Sequence, residues 1–476
     1  MQHKVIIIGT GFGGVAAARE LLKAGVEDFV LLEKADDLGG TWRDNTYPGA
    51  VCDVPSALYS YSWAPNPTWE FKWAKQRQIL DYIHATADAL GLSPHIRYGQ
   101  AVRRCVWDGE GWSVETENDV LRAQHVVSAV GQLHIPRVPD FAGLDSFAGQ
   151  SFHSARWDHD VDLCGQRVAV VGNAATAVQI IPAIAPEVGQ LTIYGRSPNW
   201  IVKKPDRAYS RAEKWLGARV PGLAKLYRGS LWSLGEFVIW PTIRGNRVTG
   251  ALLRAQNRWL RRKAIRDMEL RQKLEPDYPI GAKRILFSSE YYPALARDNV
   301  ELVTEGIDAF TQSGIRADGV EREHDIVVFA TGFQTNPFLK NIEVVGEGGR
   351  TLREHWTDGA HAYLGVSTAG FPNFHMIYGP NTNTGHTSII LKLEAQARYV
   401  AQLVGLAGEG ALDVAPEVEA EFNAEVQDRL QKLAFSKVEA SWYKDGERVT
   451  NNWMGGSLEY RRRLKALDPD VYRVVA

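Results

Sequence analysis

The sequence predicts an α/β protein built from two Rossmann-like, doubly wound domains, the second of them interrupted by a helical insertion. Three observations carry this. Residues 4–34 and 167–196 each read as strand, glycine turn, helix, strand. Residues 204–280 show helix-like stretches and no strand pattern. At 476 residues the chain also exceeds what one hydrophobic core usually organises. Its composition, 45% hydrophobic and 23% charged, is that of an ordinary globular protein.

The first block is KVIIIG, TGFGGVAAARELLKAG, then DFVLLEK. Gly9, Gly11 and Gly14 form G-x-G-x-x-G between a strand and a helix. The first glycine makes the tight turn, the second lets the backbone approach a pyrophosphate, and the third lets helix and sheet pack closely. The helix then points its free N–H groups at the phosphates. Glu33 ends the second strand, where a carboxylate can accept both ribose hydroxyls. A glycine turn that merely packs helix on sheet is the alternative, and the strand, the helix and the carboxylate together favour a dinucleotide.

The second block, RVAVVGNAATAVQ, occupies the same strand-to-helix junction. Gly172 matches the first glycine, but Ala174 replaces the second and Ala177 the third, with Thr176 inside the turn. The spacing decides between a nucleotide site and an ordinary turn. Glu33 lies 24 positions after Gly9, and Arg196 lies 24 positions after Gly172. A carboxylate suits a free 2′-hydroxyl, whereas a planar fork of N–H donors suits a 2′-phosphate. The pairing predicts FAD in the first domain and NADPH in the second, unless Arg196 is only a surface arginine following a strand.

Composition excludes several classes. A formal charge of −2 leaves no global field selecting nucleic acid. Cys52, Cys105 and Cys164 lie far apart with no C-x-x-C, which argues against a disulfide scaffold, a metal site and a redox dithiol. A reducing, cytoplasmic setting is expected. The first apolar run leads straight into a glycine turn and reads as a buried strand, and no run of 18 uncharged apolar residues predicts a membrane span.

Two longer patterns bring a resemblance. FAGQSFHSARWD fits F-x-G-x-x-x-H-x-x-x-W-[P or D] through Phe147, Gly149, His153, Trp157 and Asp158. GGTWRDNTYPGAVCD agrees with a second pattern through Gly40, Trp42, Tyr47, Pro48, Gly49 and Asp53, and Thr41 within it is a further candidate cofactor contact. Together they resemble the fingerprints of type I Baeyer–Villiger monooxygenases, flavoproteins that insert oxygen beside a ketone carbonyl.

The resemblance implies residue roles along the chain. Gln132 falls where the family places a polar residue near the flavin. Thr331 and Gly332, in HDIVVFATGF, look like the strand and turn that return the chain to the flavin domain. Asn381, in MIYGPNTNTGHTS, looks like part of the segment reaching the flavin ring. In GAKRILF, Lys283 would join Arg196 and Ser197 around the 2′-phosphate, and Arg284, held by Asp53, would stabilise a flavin C4a-peroxide and the developing oxyanion. Trp453 resembles a residue of a loop that closes over the nicotinamide. His153 is expected to hold the linker between the domains and not to act as a base. Ala174 departs from the family pattern by a methyl group on the cofactor's path.

The expected domains are 1–146 and 326–476 for FAD, 147–203 and 281–325 for NADPH, and 204–280 for the insertion. From Arg254 to Lys273 eight basic residues face two acidic ones. Such a helix could lie on an anionic membrane, but a solvated face is the more usual outcome for want of a second anchoring signal. The apolar LWSLGEFVIWP, residues 231–241, could line a substrate pocket or form the insertion's core. The implied reaction takes a ketone, O2 and NADPH to an ester or lactone. A flavin enzyme oxidising nitrogen or sulfur, and a non-catalytic NADPH-sensing flavoprotein, stay open as alternatives, and oligomeric state is not predicted.

Overall fold

The computed structural model describes residues 2–438 and 442–475. Two parallel-rich sheets organise it. The larger runs, edge to edge, through Glu343–Val345, Val102–Trp107, Trp112–Thr116, Val120–Ser128, Gln2–Ile8, Phe29–Leu32 and Ile96–Arg97. Phe374–Met376 pairs in parallel with the last residues of Val120–Ser128. Val5, Ile6, Ile7, Val126 and Val127 are fully buried, as the continuous apolar runs of central parallel strands require.

The second sheet has the order Val300–Val303, Gln190–Tyr194, Arg167–Val171, Ile326–Phe329, Gln150–His153, all parallel. Here the structure moves an expected boundary. The sequence places Ile326–Phe329 in the returning flavin domain, yet the strand lies between Arg167–Val171 and Gln150–His153 in the second sheet. The chain rejoins the first sheet only at Glu343–Val345. An apolar strand carries no mark of which sheet it will join, because its partners are distant in sequence.

The insertion is a closed excursion. Ile201–Val202 pairs with Leu286–Phe287 at its base, and between them lie helices Arg211–Arg219, Pro221–Leu234, Trp240–Ile243, Arg247–Ala264 and Met268–Lys273. A π-helical turn, Gly235–Ile239, continues the second of these. Ser210 and Glu213 form a capping box on the first, and Asn246 caps the helix Arg247–Ala264. The stretch 231–241 divides: Gly235, Glu236 and Ile239 are buried, whereas Leu234 and Phe237 face outward.

Candidate active site

Both glycine turns sit at the carboxyl ends of their sheets, where open α/β folds bind ligands. Gly9 has φ +102°, and a Cβ there would stand 2.8 Å from the carbonyl oxygen of Ala129. Gly172 repeats this with φ +113° and a Cβ 2.4 Å from the oxygen of Ala330. Gly11 ends at the open face: a Cβ would meet nothing nearer than the Gly40 Cα at 3.9 Å. Gly11 and Gly40 therefore make a side-chain-free cradle at the start of helix Phe12–Lys23, which suits a pyrophosphate. Thr41 and Trp42 begin the short helix after Gly40, and the Trp42 indole N–H donates to Tyr59 Oη at 3.0 Å.

Glu33 is buried and accepts from Thr10 N (3.2 Å), Thr10 Oγ1 (2.7 Å), Ala35 N (3.1 Å) and Arg43 Nη1 (3.0 Å). A ribose would displace one of these donors, and Arg43 was not foreseen as a competitor. Gln132 is also buried. Its amide donates to Tyr378 O at 2.9 Å, while its Oε1 has no partner among the described residues. An orphaned acceptor at the carboxyl end of the sheet is what a flavin ring N–H would satisfy, so cradle and acceptor fit the flavin dinucleotide.

In the second unit Ala174 adopts φ −80°, ψ −161°, against −76°, −168° at Gly11. The methyl group is exposed and costs the backbone nothing. Asn173 Nδ2 donates to Ser197 O at 2.7 Å, tying the turn to the strand end that carries Arg196. Arg196 is exposed and makes no ion pair among the described residues. Burial lowers the pKa of Lys283, Asp277 opposes this, and the Arg196 charge lowers it further. Lys283 also lies 4.5 Å from the centre of the Tyr278 ring. Two neighbouring cations short of anions fit a 2′-phosphate.

Tyr47 links the units: its hydroxyl donates to Gln179 Oε1 at 3.0 Å, on the second unit's helix Ala175–Ile184. Burial pushes this hydroxyl up to about 12, against a hydrogen bond with Thr176 that pulls it down.

Between the units stands Arg284. Its Nε donates to Asp53 Oδ2 at 2.6 Å, its Nη2 to Asp53 Oδ1 at 2.8 Å, and its Nη1 to Thr384 O at 3.3 Å. The side chains are 26% and 22% exposed, so the pair is enclosed but reachable. Burial pushes the Asp53 carboxyl up, yet the Arg284 charge and hydrogen bonds, aided by Lys204, outweigh it and hold the pKa below the usual carboxylate range. Burial likewise works against the guanidinium charge, and Asp53 more than restores it. Tyr378, which accepts from Gln132, lies close enough to influence Arg284, so the flavin-side acceptor and the guanidinium share one neighbourhood.

Known proteins now bear on this geometry. The pyridine nucleotide-disulphide oxidoreductase family matches residues 6–215. A Baeyer–Villiger monooxygenase of Streptomyces coelicolor is 46% identical over 481 residues, which covers 99% of this chain and 92% of that protein. The chain belongs to the Baeyer–Villiger monooxygenase family. A second member, from Pseudomonas aeruginosa, is 39% identical over 99% of this chain and 91% of its own length. Among solved structures, an oxidised steroid monooxygenase bound to NADP superimposes with a TM-score of 0.89 at 30% identity, covering both chains fully. Cyclohexanone monooxygenase from Rhodococcus sp. Phi1 bound to NADP+ gives 0.89 at 29%, over 100% of this chain and 99% of that one.

The Baeyer–Villiger fingerprint packs against the second sheet and the segment that leaves it. His153 is buried; its Nε2–H donates to Gly332 O at 3.0 Å and its Nδ1 accepts from Ala155 N at 3.1 Å. Both ring nitrogens are used, so no lone pair is left for proton transfer. Burial lowers its pKa, the Gly332 bond raises it, and Arg156 lowers it. Gly149 has no room for a Cβ, which would stand 2.5 Å from Asp325 O. Phe147 packs edge-on against Phe310, Trp157 edge-on against Phe152, and Asp158 accepts from Asp160 N in an exposed turn. Thr331 and Gly332 end the second sheet's strand beside Gly172 and meet the linker, Thr331 Oγ1 donating to Arg137 O and Arg137 N donating to Gly332 O.

One further expectation is corrected. Trp453 is 2% exposed, edge-on to Tyr460, stacked over Phe422, with its N–H given to Gly456 O. The ring is enclosed by protein and offers no face to a nicotinamide in this arrangement. Asn381, with φ +56°, points its amide at Val449 O (2.7 Å) and Asn452 O (3.1 Å). Its amide clasps the C-terminal loop, and its Oδ1, without a hydrogen-bond partner among the described residues, is left for a cofactor. Sequence reasoning missed Glu236, a buried carboxylate of the insertion that accepts from Ser457 Oγ (2.7 Å) and pairs with His386 (3.2 Å). Nothing local to LGEF marks it, since its partners are 150 and 221 positions away.

Proposed function

We propose that this protein is an FAD- and NADPH-dependent monooxygenase that inserts one oxygen atom of O2 beside the carbonyl of a small-molecule ketone, giving an ester or lactone. The bidentate Arg284–Asp53 pair between the two nucleotide units carries the reading. Gly11, Gly40, Glu33 and Gln132 would hold FAD; Arg196, Ser197, Lys283 and Thr176 would hold NADPH. When bound, these cofactors supply the hydride and the oxygen activation, and the protein supplies position and electrostatics.

The guanidinium's part follows from its donors. Of five N–H groups, three are committed to Asp53 and Thr384, which leaves one on each terminal nitrogen. Asp53 fixes the plane of the fork and keeps it charged. The remaining donors meet negative charge developing on oxygen, in surroundings drier than bulk water, where such bonds are strongest. The same donors orient the ketone oxygen, so the migrating bond is set before reaction. Buried Cys52 and Cys105 thiols and NADPH dependence accord with a cytoplasmic enzyme.

The test is isotopic. Purified FAD-loaded protein receives NADPH, 18O2 and cyclohexanone or a steroid ketone, and the product is read by mass spectrometry. One labelled oxygen in the ester or lactone per NADPH consumed is expected. In competition, a thioether oxidised to the exclusion of every ketone would replace this reading with sulfur oxidation, and bound FAD with no NADPH oxidation would replace it with a sensor.

A further inference from the structure

The insertion presents to solvent what a soluble surface normally hides. Of nineteen large hydrophobic side chains exposed among the described residues, eleven lie between Trp215 and Met268. They follow helical faces. On Arg247–Ala264, Val248 (69% exposed), Leu252 (62%), Ala255 and Trp259 (53%) recur at i, i+4, i+7 and i+11, which is one stripe. On Pro221–Leu234, exposed Leu223, Leu226, Ser230 and Leu234 share a face, and Phe237 extends it into the π-helical turn.

The opposite face of Arg247–Ala264 is pinned. Asn257 Nδ2 donates to Ile201 O (2.9 Å) and Tyr292 Oη (2.8 Å), and Arg261 Nη1 to Leu274 O (2.8 Å). The outward stripe is therefore held in place by buried bonds on the other side.

Charge selects what covers it. Residues 204–280 hold 17 Lys and Arg against 7 Asp and Glu, a formal +10 in a chain of −2, so the remainder carries −12. Arg258, Arg262, Lys263 and Arg266 flank the stripe, exposed and without ion pairs among the described residues. Lys263 lies 5.1 Å from the Trp259 ring centre and Arg219 5.1 Å from that of Trp215, placing cation and indole at one level as at a bilayer interface. A second copy of this face would repel it. An anionic bilayer would accept both halves, apolar stripes among the acyl chains and cations among the headgroups.

We propose that the helical insertion docks the enzyme peripherally on anionic lipid bilayers, through the outward stripes of Arg247–Ala264 and Pro221–Leu234 with their flanking cations. The sequence showed the cations; the structure adds the apolar anchor. No helix is long and apolar enough among the described residues to cross a membrane, which agrees with a surface attachment.

Full-length FAD-loaded protein would be floated with phosphatidylcholine vesicles, pure or containing one-third phosphatidylglycerol, at about 0.1 M salt. At least about tenfold more protein should rise with the anionic vesicles than with the neutral ones. The double variant Leu252→Glu, Trp259→Glu should fall to the neutral level while its FAD content and turnover of a water-soluble ketone stay unchanged. An environment-sensitive fluorophore on Leu252→Cys, in a Cys164→Ser background because Cys164 is the exposed thiol, should shift to the blue with anionic vesicles. The same probe on Val320→Cys, an exposed position outside the insertion, should not shift. No flotation with anionic vesicles, flotation untouched by the double variant, or flotation without the blue shift would each overturn the proposal. So would vesicle-independent self-association, or binding only to an acidic protein, that the double variant abolishes.

Discussion

The two nucleotide units share one plan and differ at two points. Each places its central strand between a following strand and a late-returning one, and each first glycine lies against the carbonyl that ends the late strand, Ala129 in one and Ala330 in the other. At the third motif position they part. A Cβ on Gly14 would stand 1.9 Å from Gly9 O, whereas Ala177 is fully buried with its methyl group accommodated. The helix packs closer in the first unit. At the ribose edge Glu33 is buried among four donors, and Arg196 is exposed without an ion-pair partner among the described residues. The ribose edge is enclosed in the first unit and open in the second.

The largest effect should come from Gly14→Ala. Its methyl group meets backbone that cannot swing away, so the cost should exceed about 3 kcal/mol, and little FAD-bound protein should survive purification. Ala177→Gly, at the matching position, should cost only about 1 kcal/mol, the helix penalty of glycine. Thermal unfolding of the pair decides the matter, and equal losses would erase the difference in packing.

Next comes Arg284→Ala, which should keep FAD and lose roughly two or more orders of magnitude in ester formation, as when an oxyanion donor is removed. Arg284→Lys should recover little, since a point charge cannot make the bidentate pair with Asp53. Near-normal turnover in the alanine variant would remove Arg284 from the reaction.

Arg196→Ala should raise the KM for NADPH about 10- to 100-fold, the worth of one charge-assisted contact, with FAD content and the KM for NADH unmoved. A change in FAD content would show that the second unit is not separable from the first.

Lys283 gives a pH dependence whose sign follows from its lowered pKa. It is charged below that value and loses its charge as pH rises through it, earlier than a free lysine would. The KM for NADPH should therefore climb several-fold on the alkaline side, and Lys283→Arg should flatten the climb. A wild-type profile flat to pH 10 would place Lys283 outside the phosphate site.

The smallest effect is expected of Ala174→Gly. Because Ala174 already has the dihedral angles of Gly11 and an exposed methyl group, the KM for NADPH should change less than about threefold. A larger gain in affinity would mean that the methyl group does crowd the cofactor.

Much of this site could be read from the chain alone. The glycine turns, Glu33, Arg196 and the Asp53–Arg284 pair were legible, because turns need particular residues and ligand chemistry needs particular side chains. These requirements are local, or recur at matching distances from matching turns. The contact between Asp53 and Arg284, 231 positions apart, was legible only through two family patterns.

Other features were decided by packing between distant segments. Ile326–Phe329 joined the second sheet because Arg167–Val171 and Gln150–His153 had open edges beside it. Trp453 went into the core because Phe422 and Tyr460 enclosed it, and the Asn381 amide turned to the C-terminal loop, where the carbonyls of Val449 and Asn452 accept from it. The basic count of the insertion was in the sequence, but which face of each helix met solvent was not. Amphipathic spacing states that a helix has two faces, and only the tertiary structure states which of them is covered.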